Sequence, residues 1–405
     1  MIKKYLSIPL IYRMIGGLIL GVILALIPKG ETDFLSIIES LGEVFIQLLV
    51  SIAPVLVFIL VMASIASAKT GIGKRMRTVI LLYIVSTLLA AFISVIIAKL
   101  FPVAVEIKSI NDVATHQTLK EILSNLVLKS ICNPLKAIIE ANYTGVLFWA
   151  ILFGFAIKKT ATLKLANVLN DLSKVIGKIV NWIIQFAPFG ILGLVFKAVR
   201  TSGIEIFTTY GKLVLLLLAG MLIVILITDP LIVAIVTKRN PYPLVFKCLK
   251  ESGITAFFTR SSASNIPINL DLCEKMGVNK DFYSVSIPLG STVNMNGAAV
   301  TITIISLIFA GSYGMEVGLG MGFVVSVIAA IGACGSSGIA GGSMMLIPLA
   351  CSTLGLPVEV GATAMSVCTI IGVIQDSMET AINSSTDAIF TIAVDQRINR
   401  KEGKI

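Results

Sequence analysis

The chain is short of charge. Only 13% of its 405 residues are Asp, Glu, Lys or Arg, about half the roughly 25% of a soluble globular domain. With 56% hydrophobic residues and a mean hydropathy of +0.97, that shortage argues against a water-soluble fold, a nucleic-acid binder and a disordered chain. Histidine is almost missing. His116 is the single one and sits in a polar stretch, which removes His-based zinc, haem and Ser-His-Asp chemistry and reads as a solvated loop residue. Cysteine is sparse. Cys132, Cys248, Cys273, Cys334, Cys351 and Cys368 show no CxxC or CxxH spacing, so they read as reduced packing residues rather than a metal cluster or disulfide framework. No linker-like stretch divides the chain, and no small-residue cleavage site follows the apolar N-terminus, which reads as a retained first helix.

What is present is hydrophobic length. Apolar runs able to cross about 30 Å of hydrocarbon, roughly 20 residues each, lie near 10–27, 36–64, 78–101, 143–157 with its flanks, 170–196 and 211–236. A polar excursion at 102–142 separates the third from the fourth. The net charge of +10 is placed with a bias: Lys3, Lys4 and Arg13, then Lys69 to Arg77, Lys158 to Lys164, Lys238 to Lys250 and Arg397 to Lys404 fall on one side if the spans alternate. The positive-inside rule makes that side cytoplasmic and puts both termini there. An even number of crossings follows, so the remainder is expected to add two spans, near 282–310 and 358–394, with re-entrant hairpins near 252–270 and 326–350.

After Lys250 the apolar segments are interrupted by TRSSASNIP, STVNMNGAA, GACGSSGIAGGS and IQDSMETAINSSTD. Each hairpin carries a Ser-Ser pair and a later Ile-Pro, and a helix with a polar mid-section follows each. The region therefore reads as two copies of hairpin plus broken helix, with inverted topology if they open from opposite sides. Paired interrupted segments of this kind point to a transporter's binding site. Small-residue helix packing accounts for isolated Gly and Ser, but poorly for Arg260, Asp376, Glu379 and Asp387.

Asp376, Glu379, Asn383 and Asp387 recur at intervals of three, four and four residues, one narrow stripe at about 100° per residue. An Asp at the bilayer centre costs about 2.5–3.5 kcal/mol on insertion scales, so the stripe must face protein, water, cations or substrate. The other reading is an ion-pair network that fixes packing, weakened because Arg260 is the one base at matching depth. Asn294 and Asn296 interrupt another apolar helix. They read either as part of a hard-oxygen cage for an alkali cation, together with carbonyls freed by unwinding, or as interhelical hydrogen-bond glue. Five glycines in the twelve residues of GACGSSGIAGGS suit a flexible gate or a close-packed corner. Tyr83, Ser86 and Thr87 form a further polar cluster, whose hydroxyls by themselves read as back-bonding to helix carbonyls.

FFTRSSASNIPINL at 257–270, SIPLGSTVNMNGAA at 286–299, GSSGIAGGSMMLIPLAC at 335–351 and QDSMETAINSSTD at 375–387 resemble the signature segments of the dicarboxylate/amino acid:cation symporter family, and most of all its serine/threonine:sodium branch. The resemblance covers essentially the whole chain. It implies an all-α integral membrane protein of eight transmembrane helices and two re-entrant hairpins, an elevator-type homotrimer in the bacterial cell (inner) membrane. Residues 1–250 would be mainly scaffold, with the third span lent to a transport domain at 251–396, and 397–405 a cytoplasmic tail. Asp376 would hold the substrate α-ammonium, with backbone at Arg260 and Ile339; Thr380, Asn383 and backbone at Ser262 would hold the α-carboxylate, and Ser343 and Ala298 would also line the pocket. One sodium would lie among Asp387, Gly290, Asn294 and Asn383, and a second among Thr292, Met295, Ala333, Cys334 and Ser336. A third would use Tyr83, Ser86, Thr87 and Asn294, with Asn296 where acidic-substrate members carry an Asp.

Two departures bear on substrate. Glu379 stands where acidic-substrate members have an Arg, and Ala298 where they have a Thr, so the pocket would repel a side-chain carboxylate and suit a small hydroxyl. The expectation is sodium-coupled import of serine and threonine, with no organic cofactor, no nucleic acid and no covalent chemistry. The rivals are a proton- or sodium-coupled acidic amino acid or dicarboxylate symporter, a passive channel, and an intramembrane hydrolase on Ser261 or Ser262. The hydrolase lacks a His base, and Lys275 lies outside the hairpin.

Overall fold

The computed structural model describes residues 8–27, 33–67, 73–105, 128, 130–160, 163–334 and 341–402. His116, Ser336 and Ile339 lie outside them. The described residues are helical throughout and contain no strand. Among the described residues five helices are long and apolar enough to cross a membrane: Ile37–Ala63, Lys74–Leu100, Ile206–Thr237, Lys280–Ser312 and Val358–Arg400. A bent pair, Asn167–Gln185 with Ala187–Thr201, makes a sixth. Leu10–Ala25 and Leu319–Ala333 are apolar but shorter.

Their outward faces match a lipid solvent. Ile15, Ile19 and Ile23 form an exposed stripe at four-residue spacing on the first helix, and Leu215, Leu222, Ile227, Leu231 and Ile235 are exposed along the span Ile206–Thr237. Helices keep their backbone polar groups satisfied internally, so such faces can stand against hydrocarbon.

Two packing groups result. Leu10–Ala25, Asp33–Ser67, Tyr143–Thr160, Leu163–Gln185 and Ala187–Ser202 pack chiefly on one another. Lys74–Leu100 and the helices from Ile206 onward gather around Val358–Lys401. Between the groups the contacts are few.

The described residues of both interrupted segments form paired helical arms, wider than the sequence indicates. The first rises through Tyr242–Cys248, a π-turn and Ile254–Thr259, turns at Arg260 and Ser261, and returns as Ser262–Lys275. Arg260 closes the rising arm in the left-handed region at φ 52°, while the Ser261 hydroxyl caps the returning arm by accepting from the Ser264 amide at 3.3 Å. The second runs from Leu319–Ala333 to Met344–Leu346 and Ile347–Thr353.

Two expectations need correction. The apolar run 170–196 is not one straight span: it bends by 50° around Phe186, where Pro188 two residues on can donate no backbone hydrogen bond and so favours a fresh helix start. The two hairpins are also not followed by two broken helices. The first is, with Lys280–Val293 and Asn296–Ser312 separated at Asn294 and Met295. After the second hairpin, Val358–Lys401 is continuous over 44 residues. Its polar residues recur at helical spacing, and no Pro or Gly falls between Gly372 and Lys401, so nothing there removes a donor or favours non-helical backbone.

Candidate functional site

Asp376 sits where both hairpins meet the last helix. It is 2% exposed and Arg260 is 3% exposed. Arg260 Nε donates to Asp376 Oδ2 at 2.7 Å, and Nη2 lies 2.6 Å from the same oxygen. The guanidinium also donates to the Gly372 carbonyl at 3.3 Å and contacts Met14 Sδ at 2.9 Å. From the second hairpin the Gly341 amide donates to Asp376 Oδ1 at 3.2 Å. A non-glycine left-handed residue costs about 1–3 kcal/mol; here that conformation aims a base at a buried acid. Of the acids in the stripe, Arg260 thus pairs with Asp376.

Glu379, one turn further along, faces neutral donors. Its Oε2 accepts from Thr301 Oγ1 at 2.7 Å, Ser343 Oγ at 2.8 Å and Gln375 Nε2 at 2.5 Å. Gln375 Nε2 also donates to Thr301 Oγ1 at 2.7 Å. Thr301 and Gln375 carry no signal in the sequence beyond lying one helical turn from residues already singled out. The backbone comes close here, since a Cβ on Gly297 would stand 2.9 Å from Glu379 Cα. Ala298 is wholly buried on the same turn. Thr380 Oγ1 donates back to the Asp376 carbonyl at 2.7 Å, Asn383 Oδ1 accepts from the Gly297 amide at 2.8 Å, and Ser262 is buried at the start of the returning arm.

Asp387 ends the stripe beside the break. Asn294 Nδ2 donates to Asp387 Oδ1 at 2.9 Å and to Thr386 Oγ1 at 2.6 Å. Asp387 Oδ2 and Asn294 Oδ1 are buried and accept no hydrogen bond from the described residues. Two such oxygens, one of them charged, are what an alkali cation bound by hard-oxygen donors would satisfy. Gly290 lacks the side chain that would block this approach: a Cβ there would lie 2.7 Å from Asp387 Oδ1. The Gly290 carbonyl accepts from the Asn294 amide at 2.8 Å. Cys334 Sγ reaches the Val293 carbonyl at 3.1 Å, bringing the end of Leu319–Ala333 to the same break. Thr292 Oγ1 donates to the Leu289 carbonyl at 2.9 Å, and Met295 and Ala333 are buried.

The third-span cluster divides. Tyr83 OH lies 3.0 Å from Thr391 Oγ1 and donates at 3.3 Å to the Ser286 and Asp387 carbonyls. Ser86 and Thr87 instead face Asn296. Thr87 Oγ1 donates to Asn296 Oδ1 at 3.1 Å, and Asn296 Nδ2 donates to Ser86 Oγ at 2.7 Å. An acid that composition and spacing do not single out joins them: Ser86 Oγ donates to Asp229, and Asn296 Nδ2 lies 3.1 and 3.3 Å from the two Asp229 carboxylate oxygens. An Asp-Pro pair inside the apolar run 211–236 is the available signal.

The chain is similar to known transport proteins over nearly its whole length. A serine/threonine transporter SstT of Acinetobacter baumannii is 48% identical over 400 residues, covering 98% of this chain and 99% of the relative. Proteins of the same name from Streptococcus thermophilus and Bifidobacterium adolescentis are 46% identical over 390 residues and 44% over 401, covering 96% and 99% of this chain and 96% and 92% of those relatives. The sodium:dicarboxylate symporter family model matches residues 10–397, and the chain belongs to that family.

Proposed function

We propose that the protein imports serine and threonine across the cell membrane in symport with sodium. The observation that carries this reading is Asp376, a buried carboxylate held jointly by Arg260 of the first hairpin and the Gly341 amide of the second. A substrate α-ammonium supplies the charge and donors that Asp376 accepts. The carboxamide of Asn383, the Thr380 hydroxyl and the backbone at Ser262 receive the α-carboxylate. Glu379, already accepting from three neutral donors, disfavours an acidic side chain and accepts from a substrate hydroxyl. The names of the relatives support the same substrate.

Sodium is a co-substrate. The uncoordinated oxygens of Asp387 and Asn294 fit one ion, and the backbone near Thr292, Met295, Ala333 and Cys334 fits a second. A third site would draw on Ser86 and Thr87 without the Tyr83 hydroxyl, which is engaged at Thr391.

Transport itself is a movement rather than a covalent step. The helices gathered around Val358–Lys401 form the moving body, which takes in the third and sixth spans as well as residues 251–396. The N-terminal packing group is the scaffold, assembled as a homotrimer. Eight crossings and two re-entrant hairpins, with both termini cytoplasmic in a bacterial inner membrane, complete the arrangement. Arg13, Arg75, Arg77, Lys238 and Arg400 lie on the cytoplasmic side in it.

Proteoliposomes given an inward sodium gradient are expected to accumulate serine and threonine against their own gradients. Uptake unchanged when choline replaces sodium overturns the coupling, and uptake that only equilibrates across the membrane indicates a channel.

A further inference from the structure

Leu163–Gln185 presents more apolar surface than the protein covers. At about 100° per residue its side chains fall into three strips. Leu169, Ile176, Val180 and Ile184 are buried on the side packed against Asp33–Ser67. Asn167, Asp171, Lys174, Lys178 and Asn181 make an exposed polar strip. The third strip is both apolar and exposed: Leu165, Val168, Leu172, Val175 and Trp182 are each between 39% and 63% exposed. A helix packed on protein alone needs one apolar strip, and this one has two.

Length brings the second strip to a membrane surface. Leu163–Gln185 holds 23 residues and Ala187–Ser202 holds 16, about 34 and 24 Å at 1.5 Å per residue. With one arm along the bilayer normal and the other tilted by the 50° bend, the pair still exceeds about 30 Å of hydrocarbon by roughly 15 Å. The surplus falls at the Leu163 end, because exposed polar residues recur through that arm whereas Ala187–Phe196 carries no charged or amide side chain. Trp182 suits such a boundary, since Trp collects where hydrocarbon meets headgroups.

The charge there is positive. Lys158 and Lys159 end the preceding helix, Lys174 and Lys178 stand beside the uncovered apolar strip, and Asp171 is the one acid between Tyr143 and Gln185. Asp171 pairs with Lys174 at 2.7 Å, an exposed contact of a kind worth little. Among the described residues no carboxylate pairs with Lys158, Lys159 or Lys178. Lysines so placed lay their stems on apolar surface and hold their ammonium groups at headgroup level. The positive-inside rule accounts for the lysines but not for the bare apolar strip beside them.

We infer that Leu163–Gln185 docks anionic phospholipid of the cytoplasmic leaflet, with acyl chains against Leu165, Val168, Leu172 and Val175 and the phosphate at Lys174 and Lys178. The inference rests on the proposed orientation for the leaflet it names, but not for the binding itself, which needs neither substrate nor sodium.

Trp182 reports on the site directly. Trp149→Phe leaves it as the single indole of the full chain, and its fluorescence is read in phosphatidylcholine vesicles containing a small fraction of either brominated phosphatidylglycerol or brominated phosphatidylcholine. Phosphatidylglycerol is expected to be the preferred quencher by about tenfold, and the preference to vanish when Lys174→Gln and Lys178→Gln are combined. Equal quenching by the two lipids, or a preference that survives loss of both lysines, overturns the inference. Quenching by neither lipid means that a second copy of the chain covers the strip, and overturns it as well. If Trp149→Phe is not recovered folded, the difference between wild type and Trp182→Phe gives the same signal. A phosphatidylglycerol preference in protein that fails to take up serine upholds the lipid site while the transport reading falls.

Discussion

Arg260 and Asp376, 116 residues apart, form a buried ion pair with Nη2 to Oδ2 at 2.6 Å. One residue stands at a hairpin tip in left-handed backbone, the other inside an unbroken helix. The guanidinium occupies one carboxylate oxygen and the Gly341 amide approaches the other, so on the proposed reading an incoming α-ammonium competes for a carboxylate that is already held.

Asp376→Asn is expected to lower serine affinity at least 100-fold, since breaking a buried charge pair costs about 3–5 kcal/mol. Competition of unlabelled serine with radiolabelled serine on purified protein measures it. Affinity within threefold of wild type would remove Asp376 from the ammonium site.

Glu379→Arg is expected to shift preference from serine toward aspartate, because the base replaces an acid at the position proposed to read the substrate side chain. A panel of serine, threonine, alanine and aspartate competitors gives the ranking. Ser343→Ala, which removes the hydrogen bond from the second hairpin to Glu379, should weaken serine binding by about 0.5–1.5 kcal/mol, or up to roughly tenfold, without reordering the panel.

Asp387→Asn removes the charge from the pair of unpartnered oxygens beside Asn294. The sodium concentration for half-maximal serine uptake should rise by tenfold or more. An unchanged sodium curve would place the ion elsewhere.

Asn265 and Asn269 tie the first hairpin to the last helix. Asn265 Nδ2 donates to Ser252 Oγ at 2.8 Å and Ser384 Oγ at 2.7 Å, and Asn269 Nδ2 donates to the Ser384 carbonyl at 2.8 Å. Asn265→Ala leaves buried partners unpaired and should destabilise the protein by about 1–3 kcal/mol. Ser264→Ala, at an exposed position, should cost less. Thermal denaturation in detergent compares the two.

Hydropathy and spacing alone carry much of this. The membrane class follows from 13% charge and long apolar runs, because hydrocarbon tolerates little else. The stripe of Asp376, Glu379, Asn383 and Asp387 is a property of helical period, which the chain fixes by spacing. The break at Asn294 and Met295 is legible from Asn residues flanking Met in an apolar helix, with Pro288 a turn or two before. Tertiary structure alone decides which groups meet. Arg260 could have paired with any of the three acids of the stripe, and the left-handed turn at the hairpin tip sends it to Asp376. Ser86 and Thr87 look like ordinary helix hydroxyls until the sixth span brings Asp229 against them, and the side chains of one helix say nothing about what a distant helix will present. The reason is geometric: sequence period sets the face a residue lies on, while the partner on that face is chosen by how separate helices pack.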